Sequence, residues 1–507
     1  MQRFRWMLVG ALACAALHPA VAISMATSAM EEVPVDAVGA TRALIHRADA
    51  LNAAKDSSAA LKVVVSAIES EGFAKLSTAE QHIVLAVGGS MAVEQGQAER
   101  GLDWLKRATQ FDEATARNWH ERLSAAFQLR NYPDSALCIA TIAKRWPNLM
   151  DQIPAPVIYA LDRELKYAHA SASRRELLQA LFDAAWKDDG NPPSSMLIDL
   201  SLMMIADGDL KRAASVIARI DAPRSAVILR ADRRFDRSLR AAKQKIDVEQ
   251  IAAAAVARAR ERVEAAPTLL APRVALQSAL LQVMKYDEVL AIADDVIART
   301  REVDGATVFT DFKDKYIWLL NHRSHALQSL GRFDEAIEQM KKAARRPEGG
   351  DLNVSQAINL GLMLASMNRP GEAREAIAEL GGVSEYGRAL TELVGLMAAA
   401  QDHDSAAVDK HLAYLSEHRT TLPSIYGIAL LELDRLDDAA NLLIERLRRD
   451  DWRSEALQAM QIYADQPQPP RATILSARWR AVIARPDVQA ELAKVGRIER
   501  FNLASHD

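Results

Sequence analysis

The fold is decided by a short stretch, Gly331-Arg332-Phe333-Asp334-Glu335-Ala336-Ile337. Gly331 permits a tight turn at the start of the stretch because glycine has no side chain. An apolar helical segment precedes this glycine. Ala336, Met340 and Ala343 then recur at the three- and four-residue spacing of one helix face. The stretch therefore predicts two helices joined by a short turn.

The same pattern recurs along the C-terminal half of the chain. Alanines that align with Ala336 stand at Ala373, Ala407 and Ala439, at separations of 37, 34 and 32 residues. The preceding helices place a small residue after an apolar one, where two helices must approach closely, in the pairs Leu360-Gly361, Val394-Gly395 and Tyr426-Gly427. This regular spacing indicates a tandem helical repeat.

These units resemble the tetratricopeptide repeat (TPR) family, whose repeats have a period of about 34 residues. The resemblance is strong over residues 317–450 and weaker over 41–300. It implies an all-α fold, a right-handed α-solenoid of stacked helix-turn-helix repeats. It also implies protein partners bound in a concave groove lined by the first helix of each repeat.

The chain divides into six predicted segments. They are a signal peptide at 1–22, a flexible leader at 23–40, divergent helical repeats at 41–300, TPR-like repeats at 301–463, a Pro-rich linker at 464–473 and a C-terminal helical cap at 474–507. The linker contains Gln466-Pro467-Gln468-Pro469-Pro470, which cannot continue a helix. Residues 237–265 read as one long Ala-rich helical stretch, which is either an atypical repeat or a bend.

The N-terminus has the three zones of a secretory signal. Arg3 and Arg5 precede an apolar run of 12 residues from 6 to 17, and Ala20-Val21-Ala22 supplies the small residues of a cleavage site. We therefore expect a bacterial protein that is periplasmic or secreted. One alternative is an outer-membrane lipoprotein acylated at Cys14, although Ala11-Leu12-Ala13 lacks the usual leucine. A second is a buried N-terminal helix.

Composition narrows the possible functions. Of 507 residues, 50% are hydrophobic and only 5% aromatic, which favours packed helices. The net charge is -4 at pH 7, so the sequence predicts no nucleic-acid partner. Cleavage after residue 22 would leave Cys138 alone, and its apolar neighbours predict a small buried side chain rather than a nucleophile.

No motif for a reaction occurs in a suitable context. The sequence contains no phosphate-binding Gly-rich loop ending in Lys-Ser or Lys-Thr, no His-Glu-x-x-His and no Cys-x-x-Cys. Asp402-His403-Asp404 falls in a predicted turn, where polar residues are expected. We therefore predict no enzymatic activity, no catalytic residue, no metal and no cofactor.

Two surfaces are candidates for binding. The TPR resemblance places Trp318, Asn321, His325 and Gln328 in the groove, with Asn359 near it in the next unit; this patch suits an extended peptide or a sugar chain, unless these side chains only pack between repeats. An arginine run that includes Arg230, Arg233, Arg234 and Arg237 is either a patch for an anionic ligand or a solvated helix face.

The leading functional hypothesis is a non-enzymatic scaffold in the bacterial periplasm or cell envelope that binds a partner protein or peptide. Secretion, repeats and the lack of reaction motifs together favour it. The alternatives are a glycan- or lipid-binding component of an envelope export system, or the regulatory subunit of an enzyme.

Overall fold

The computed structural model describes residues 36–301, 305–347 and 353–505. It divides into two compact units at the boundary between Met203 and Met204, called here the N-terminal and C-terminal units. This boundary falls inside the stretch 41–300 that the sequence treats as one block. Each unit is a stack of antiparallel helices, so the predicted all-α solenoid fold is confirmed. The predicted signal peptide, with Cys14, lies outside the described residues.

The N-terminal unit is built from consecutive helix pairs. Its helices are α1 (Ala37–Ala53), α2 (Ser57–Ile68), α3 (Thr78–Glu94), α4 (Ala98–Ala108), α5 (Ala116–Gln128), α6 (Tyr132–Arg145), α7 (Ala155–Tyr167), α8 (Ser171–Asp183) and α9 (Ser194–Ala206), of which α9 extends past the boundary. Short 3-10 turns lie at Phe73–Lys75 and Pro147–Gln152. Helix α1 begins inside the predicted leader because the Asp36 side chain accepts a hydrogen bond from Gly39 N and caps it.

The C-terminal unit continues with the same kind of element. Its helices are α10 (Leu210–Ile217), α11 (Pro223–Ala231), α12 (Asp236–Ala241), α13 (Val248–Ala265), α14 (Ala271–Gln282), α15 (Tyr286–Arg299), α16 (Gly305–Val308), α17 (Phe312–Ser329), α18 (Phe333–Ala344), α19 (Val354–Ser366), α20 (Pro370–Ile377), α21 (Glu385–Gln401), α22 (Ser405–Glu417), α23 (Pro423–Glu432), α24 (Leu436–Arg448), α25 (Asp450–Ala459), α26 (Pro470–Ile483) and α27 (Pro486–Val495). A 3-10 turn lies at Arg233–Phe235, and the two strands are β1 (Ile462–Ala464) and β2 (Arg500–Ala504).

The stretch 237–265 is two helices rather than one. Helix α12 ends at Ala241, and Lys243 adopts a left-handed conformation with φ of 51°. Asp247 then caps α13 by accepting a hydrogen bond from Gln250 N at 2.9 Å. A cap signal inside the Ala-rich run therefore separates the two helices.

Ten helix pairs in the described residues share one connection. The second residue after each first helix is left-handed, at Lys55, Gly96, Arg130, His169, Gly208, Met284, Gly331, Asn368, His403 and Asp434. The next backbone N–H donates to the carbonyl five residues earlier, as Arg332 N does to Leu327 O at 2.9 Å. This is the Schellman motif, and it sends the second helix back along the first.

The left-handed turn residues also show that one of the four predicted repeat alanines is not equivalent to the others. Ala336, Ala373 and Ala439 each stand five residues after the left-handed residue and are buried. In the third unit that position is Val408, and Ala407 is only half-buried. Ala407 is therefore not equivalent to the other three alanines. The predicted close approach at Gly361 is confirmed, since a Cβ there would lie 2.9 Å from the Ile377 side chain.

The two ends of the C-terminal unit meet. Helix α11 packs against α25, and β2 pairs in parallel with β1 while contacting α13 and α14. Arg497 N donates to Ala231 O at 3.0 Å, which joins residues far apart in sequence. The sequence predicted a helical cap for the segment 474–507. Its described part, up to residue 505, ties the end of the unit to its beginning.

Candidate partner-binding surfaces

Helix α3 is the first helix of the second pair, and one stripe of it faces outward. Contacts with α2, α4 and α5 bury most of its surface. Between residues 82 and 92 all residues are buried except Ile83, Val87 and Ser90, which we call the α3 stripe. Ile83 is 39% exposed and Val87 is 42% exposed. Two large apolar side chains one helical turn apart thus face solvent on a stretch of α3 that is mostly buried.

Charged residues occupy the equivalent position on the neighbouring first helices. Ile83 stands thirteen residues before the turn residue of its pair, and Arg42 of α1 and Arg117 of α5 stand at the same distance from theirs. Arg42 Nε donates to Glu80 Oε1 at 2.8 Å, and Arg117 Nε donates to Glu121 Oε1 at 2.8 Å. Ile83 and Val87 of the α3 stripe are therefore flanked by Arg42 and Arg117, each of which makes an ion pair.

Glu80 lies in the first turn of α3, beside the α3 stripe. Its carboxylate accepts hydrogen bonds from Arg42 and from Ser77, the N-cap residue of α3. These bonds lower the pKa of Glu80 to about 2. The residue stays ionised throughout the physiological range, so the charge beside the α3 stripe is permanent.

Ile83 was not among the residues predicted from the sequence, although a signal for it was present. Gly96 marks the turn after α3 in the same way that Gly331 marks the turn after α17. Trp318 also stands thirteen residues before its turn residue, so Ile83 and Trp318 occupy one repeat position. Counting back from Gly96 would have identified Ile83.

The predicted patch around Trp318 is brought together only in part. Asn321 is 4% exposed, and its side-chain oxygen accepts a hydrogen bond from Asn359 Nδ2 at 3.0 Å. This bond joins the first helices α17 and α19. Trp318, His325 and Gln328 are half-buried, and burial lowers the pKa of His325 below its usual value. The asparagine pair thus connects adjacent repeats, while the other three residues keep partial exposure.

The tail of the chain contacts first helices in the C-terminal unit. Helix α26 packs against α19 and α23. Arg471 Nε donates to Glu432 Oε1 at 2.6 Å, and Arg478 Nη1 donates to Leu431 O at 2.7 Å. These contacts hold α26 at the C-terminal end of α23. Part of the first-helix face in this unit is therefore covered by the chain itself.

Three of the four arginines in the predicted patch have partners within the protein. Arg230 pairs with Glu499 at 2.7 Å, and Arg233 Nε donates to Gly496 O at 3.2 Å. Arg234 pairs with the fully buried Asp232 at 2.6 Å. The contacts of Arg230 and Arg233 join the ends of the C-terminal unit, as does the hydrogen bond from Arg234 Nη1 to Asp450 O at 3.2 Å. Arg237 remains exposed.

Two other predictions from the sequence concern Cys138 and the triplet at 402–404. Cys138 is fully buried, as predicted, and burial raises the pKa of its thiol. His403 is the left-handed turn residue before α22, and Asp404 caps that helix by accepting a hydrogen bond from Ala407 N. The polar triplet thus has a local structural role.

Metal sites and membrane spans are both absent from the described residues. Within 36–301, 305–347 and 353–505, no three His, Cys, Asp or Glu side chains come together as metal ligands would. No helix in these ranges combines the length and hydropathy that crossing a membrane requires.

Comparisons with known proteins give only distant likenesses. No protein-family profile matches the chain, and no curated protein matches it in sequence. Among solved structures it is similar to yeast Tom70, with 11% identity and a TM-score of 0.30 over 90% of this chain and 99% of that chain. It is also similar to a chain of the APC/C hetero-tetramer Cut9-Hcn1, with 12% identity and a TM-score of 0.28 over 90% of both chains.

A third likeness is to a chain of the Naa15/Naa10 complex bound to HypK, with 13% identity and a TM-score of 0.24 over 88% of this chain and 76% of that chain. Identities and TM-scores this low do not carry function from one protein to another. The fold assignment rests on the helix pairs and turns of this chain.

Proposed function

We propose that this chain is a non-enzymatic scaffold that binds a partner polypeptide on the first-helix face of its N-terminal unit. The observation that carries the proposal is the α3 stripe, where Ile83 and Val87 are exposed between helices bearing ion pairs. An extended or helical segment with apolar side chains at its centre and charges on both sides matches this surface.

The charges beside the α3 stripe favour a polypeptide over a purely apolar ligand. Burying Ile83 and Val87 supplies the hydrophobic contribution, which scales with the apolar area removed from water. The ion pairs of Arg42 and Arg117 remain at the edge, where charges set orientation and specificity more than affinity. The patch around Trp318 is a second candidate surface for the same function, because Trp318 occupies the repeat position of Ile83.

We further propose that the protein acts in the periplasm or outside the cell. The support is the order of basic, apolar and small-residue zones in residues 1–22. Mass spectrometry of the N-terminal peptide of the protein recovered from the envelope fraction tests this proposal. A chain that begins at Ile23 supports secretion, whereas an unprocessed chain in the cytosol contradicts it.

The partner surface is tested by site-specific photocrosslinking in the full-length chain. A benzoylphenylalanine replaces Val87, and a matched probe replaces Ile474, an exposed apolar residue of α26. We expect a discrete protein adduct from the probe at 87 and none of that mass from the probe at 474. Adding Ile83→Asp should abolish the adduct and leave the helical circular dichroism unchanged, since residue 83 faces solvent.

Other outcomes would count against the scaffold. An adduct of the same mass from both probes would show nonspecific capture. A glycan or lipid adduct without protein would favour a ligand-binding component of an export system. Copurification of a catalytic subunit whose activity depends on this chain would favour a regulatory subunit.

A further inference from the structure

A basic cleft lies where the tail of the chain meets α12. It is lined by Asp236, Leu239, Arg240, Lys243, Lys245 and Arg497, together with Gln244, and it is open to solvent, with a volume of about 490 Å³. Its four cationic side chains and single carboxylate give it a net charge of +3. Arg240, Lys243 and Lys245 continue along the sequence the basic run that contains Arg230, Arg233, Arg234 and Arg237, whereas Arg497 comes from the tail.

The carboxylate in the cleft orients two of the cations. Arg497 Nη2 donates to Asp236 Oδ2 at 2.5 Å, and Arg240 Nη1 lies 3.8 Å from the same oxygen. The Asp236 carboxylate is thus hydrogen-bonded to Arg497 and lies at ion-pair distance from Arg240. Lys243 and Lys245 are exposed on the loop between α12 and α13. The cleft therefore gathers more positive charge than its own carboxylate balances.

We propose that the basic cleft binds a ligand with clustered phosphate groups. Guanidinium groups recognise phosphate oxygens through paired N–H donors, and lysines add mobile positive charge. A single carboxylate ligand would leave most of the net charge uncompensated, whereas a di- or triphosphate neutralises it. The volume of the cleft exceeds that of one phosphate ion and accommodates such a group.

Ligand binding in the cleft would also stabilise the contact between the two ends of the C-terminal unit. Arg497 comes from the tail, whereas Arg240, Lys243 and Lys245 come from α12 and the loop after it. A polyanion that contacts both sides bridges the two ends of the unit. Because it binds this arrangement and not the unfolded chain, it stabilises the closed form.

The test uses the full-length protein and inorganic tripolyphosphate at low ionic strength. Calorimetry should show binding that weakens as salt rises. Lys243→Asn with Lys245→Gln should weaken it about tenfold, because two of the four cations are lost. Asparagine is chosen at 243 because it tolerates the left-handed backbone there. The matched control is Arg237→Ala, which removes an exposed cation of α12 outside the cleft and should change the affinity less than about twofold.

Hydrogen exchange gives a second readout. Tripolyphosphate should slow exchange in residues 236–247 and 496–505 together, and Arg497→Gln should remove this joint protection. Flotation with phosphatidic acid vesicles distinguishes a lipid headgroup from a free phosphate as the source of the ligand. Equal losses in Arg237→Ala and the double variant would overturn the proposal, and so would the absence of binding to both tripolyphosphate and vesicles.

Discussion

The N-terminal and C-terminal units are built from the same helix pair, joined by the same left-handed turn, but the described residues contain a returning tail in the C-terminal unit alone. There, α26 covers part of the first-helix face and β2 reaches the helices that begin the unit. In the N-terminal unit the equivalent face carries the exposed Ile83 and Val87. The two units therefore share a repeat but differ in whether the chain itself covers part of the first-helix face.

The two units also use arginine in different ways. In the N-terminal unit, Arg42 and Arg117 make surface ion pairs that leave the neighbouring apolar residues exposed. In the C-terminal unit, Arg233 and Arg234 contact residues beyond 449 and hold the ends together. Clustered arginines in a sequence thus do not by themselves indicate a ligand site.

The largest expected effect comes from Ala336→Asp in the C-terminal unit. Ala336 is fully buried where Ser324 Oγ donates to its carbonyl, so an aspartate there should lower the free energy of unfolding by about 3–5 kcal/mol. Because the ends of this unit are joined, hydrogen exchange should quicken in 223–231 and 450–459 together. Peptides from the N-terminal unit should keep their protection.

The matched variant for that prediction is Ala407→Asp. Ala407 is half-buried, so this substitution should lower the free energy of unfolding clearly less than Ala336→Asp does. If both variants lose the same free energy of unfolding, Ala336 and Ala407 occupy equivalent repeat positions, as the sequence predicted. Faster exchange in the N-terminal unit would contradict the expectation that the effect of Ala336→Asp stays within the C-terminal unit.

A smaller decrease in the free energy of unfolding is expected when Arg234, which contacts both ends of the C-terminal unit, is replaced. Replacing Arg234 by Gln leaves the fully buried Asp232 without its cation and should cost about 3 kcal/mol. Chemical denaturation followed by hydrogen exchange should locate the loss in the C-terminal unit. Arg237→Gln is the control, because Arg237 is exposed on α12. Equal effects of the two substitutions would show that the Arg234 contacts do not hold the ends together.

The smallest effect compares two turn glycines. Gly96 and Gly331 have φ of 76° and 77°, so alanine should cost about 1 kcal/mol at each position. A Cβ at 96 meets nothing within 4 Å, whereas one at 331 lies 3.3 Å from Pro467 Cβ. Gly331→Ala should therefore cost slightly more, and Pro467→Ala should remove the difference. An equal cost at both turns would mean that the segment before α26 does not press on this turn.

Several features of the fold could be predicted from short-range sequence signals. Gly331 and the spacing of Ala336, Met340 and Ala343 predict a helix pair because helical periodicity and turn geometry are local. The register at Ala407 could not be predicted in this way, since an alanine one position away satisfies the same pattern. The left-handed residues at Arg130 and Met284 were not predicted because neither residue type favours that conformation.

The candidate surfaces were predicted less well. Trp318 was selected by its repeat position, but the bond between Asn321 and Asn359 depends on the packing of α17 against α19. Ile83 occupies the same position and was not selected, because an isoleucine in a helical pattern is expected in the core. Which apolar residues remain exposed depends on the neighbours of each helix.

The sequence by itself determined most of the helices and their pairing into repeats, because hydrogen bonds and apolar spacing within about 40 residues specify them. The tertiary structure alone decided that residues 450–505 return to residues 223–249, and that Arg230, Arg233 and Arg234 serve this closure while Arg497 joins a different basic cleft. These contacts join residues more than 200 positions apart. No local pattern encodes such a contact, since it forms only when the whole stack brings its ends together.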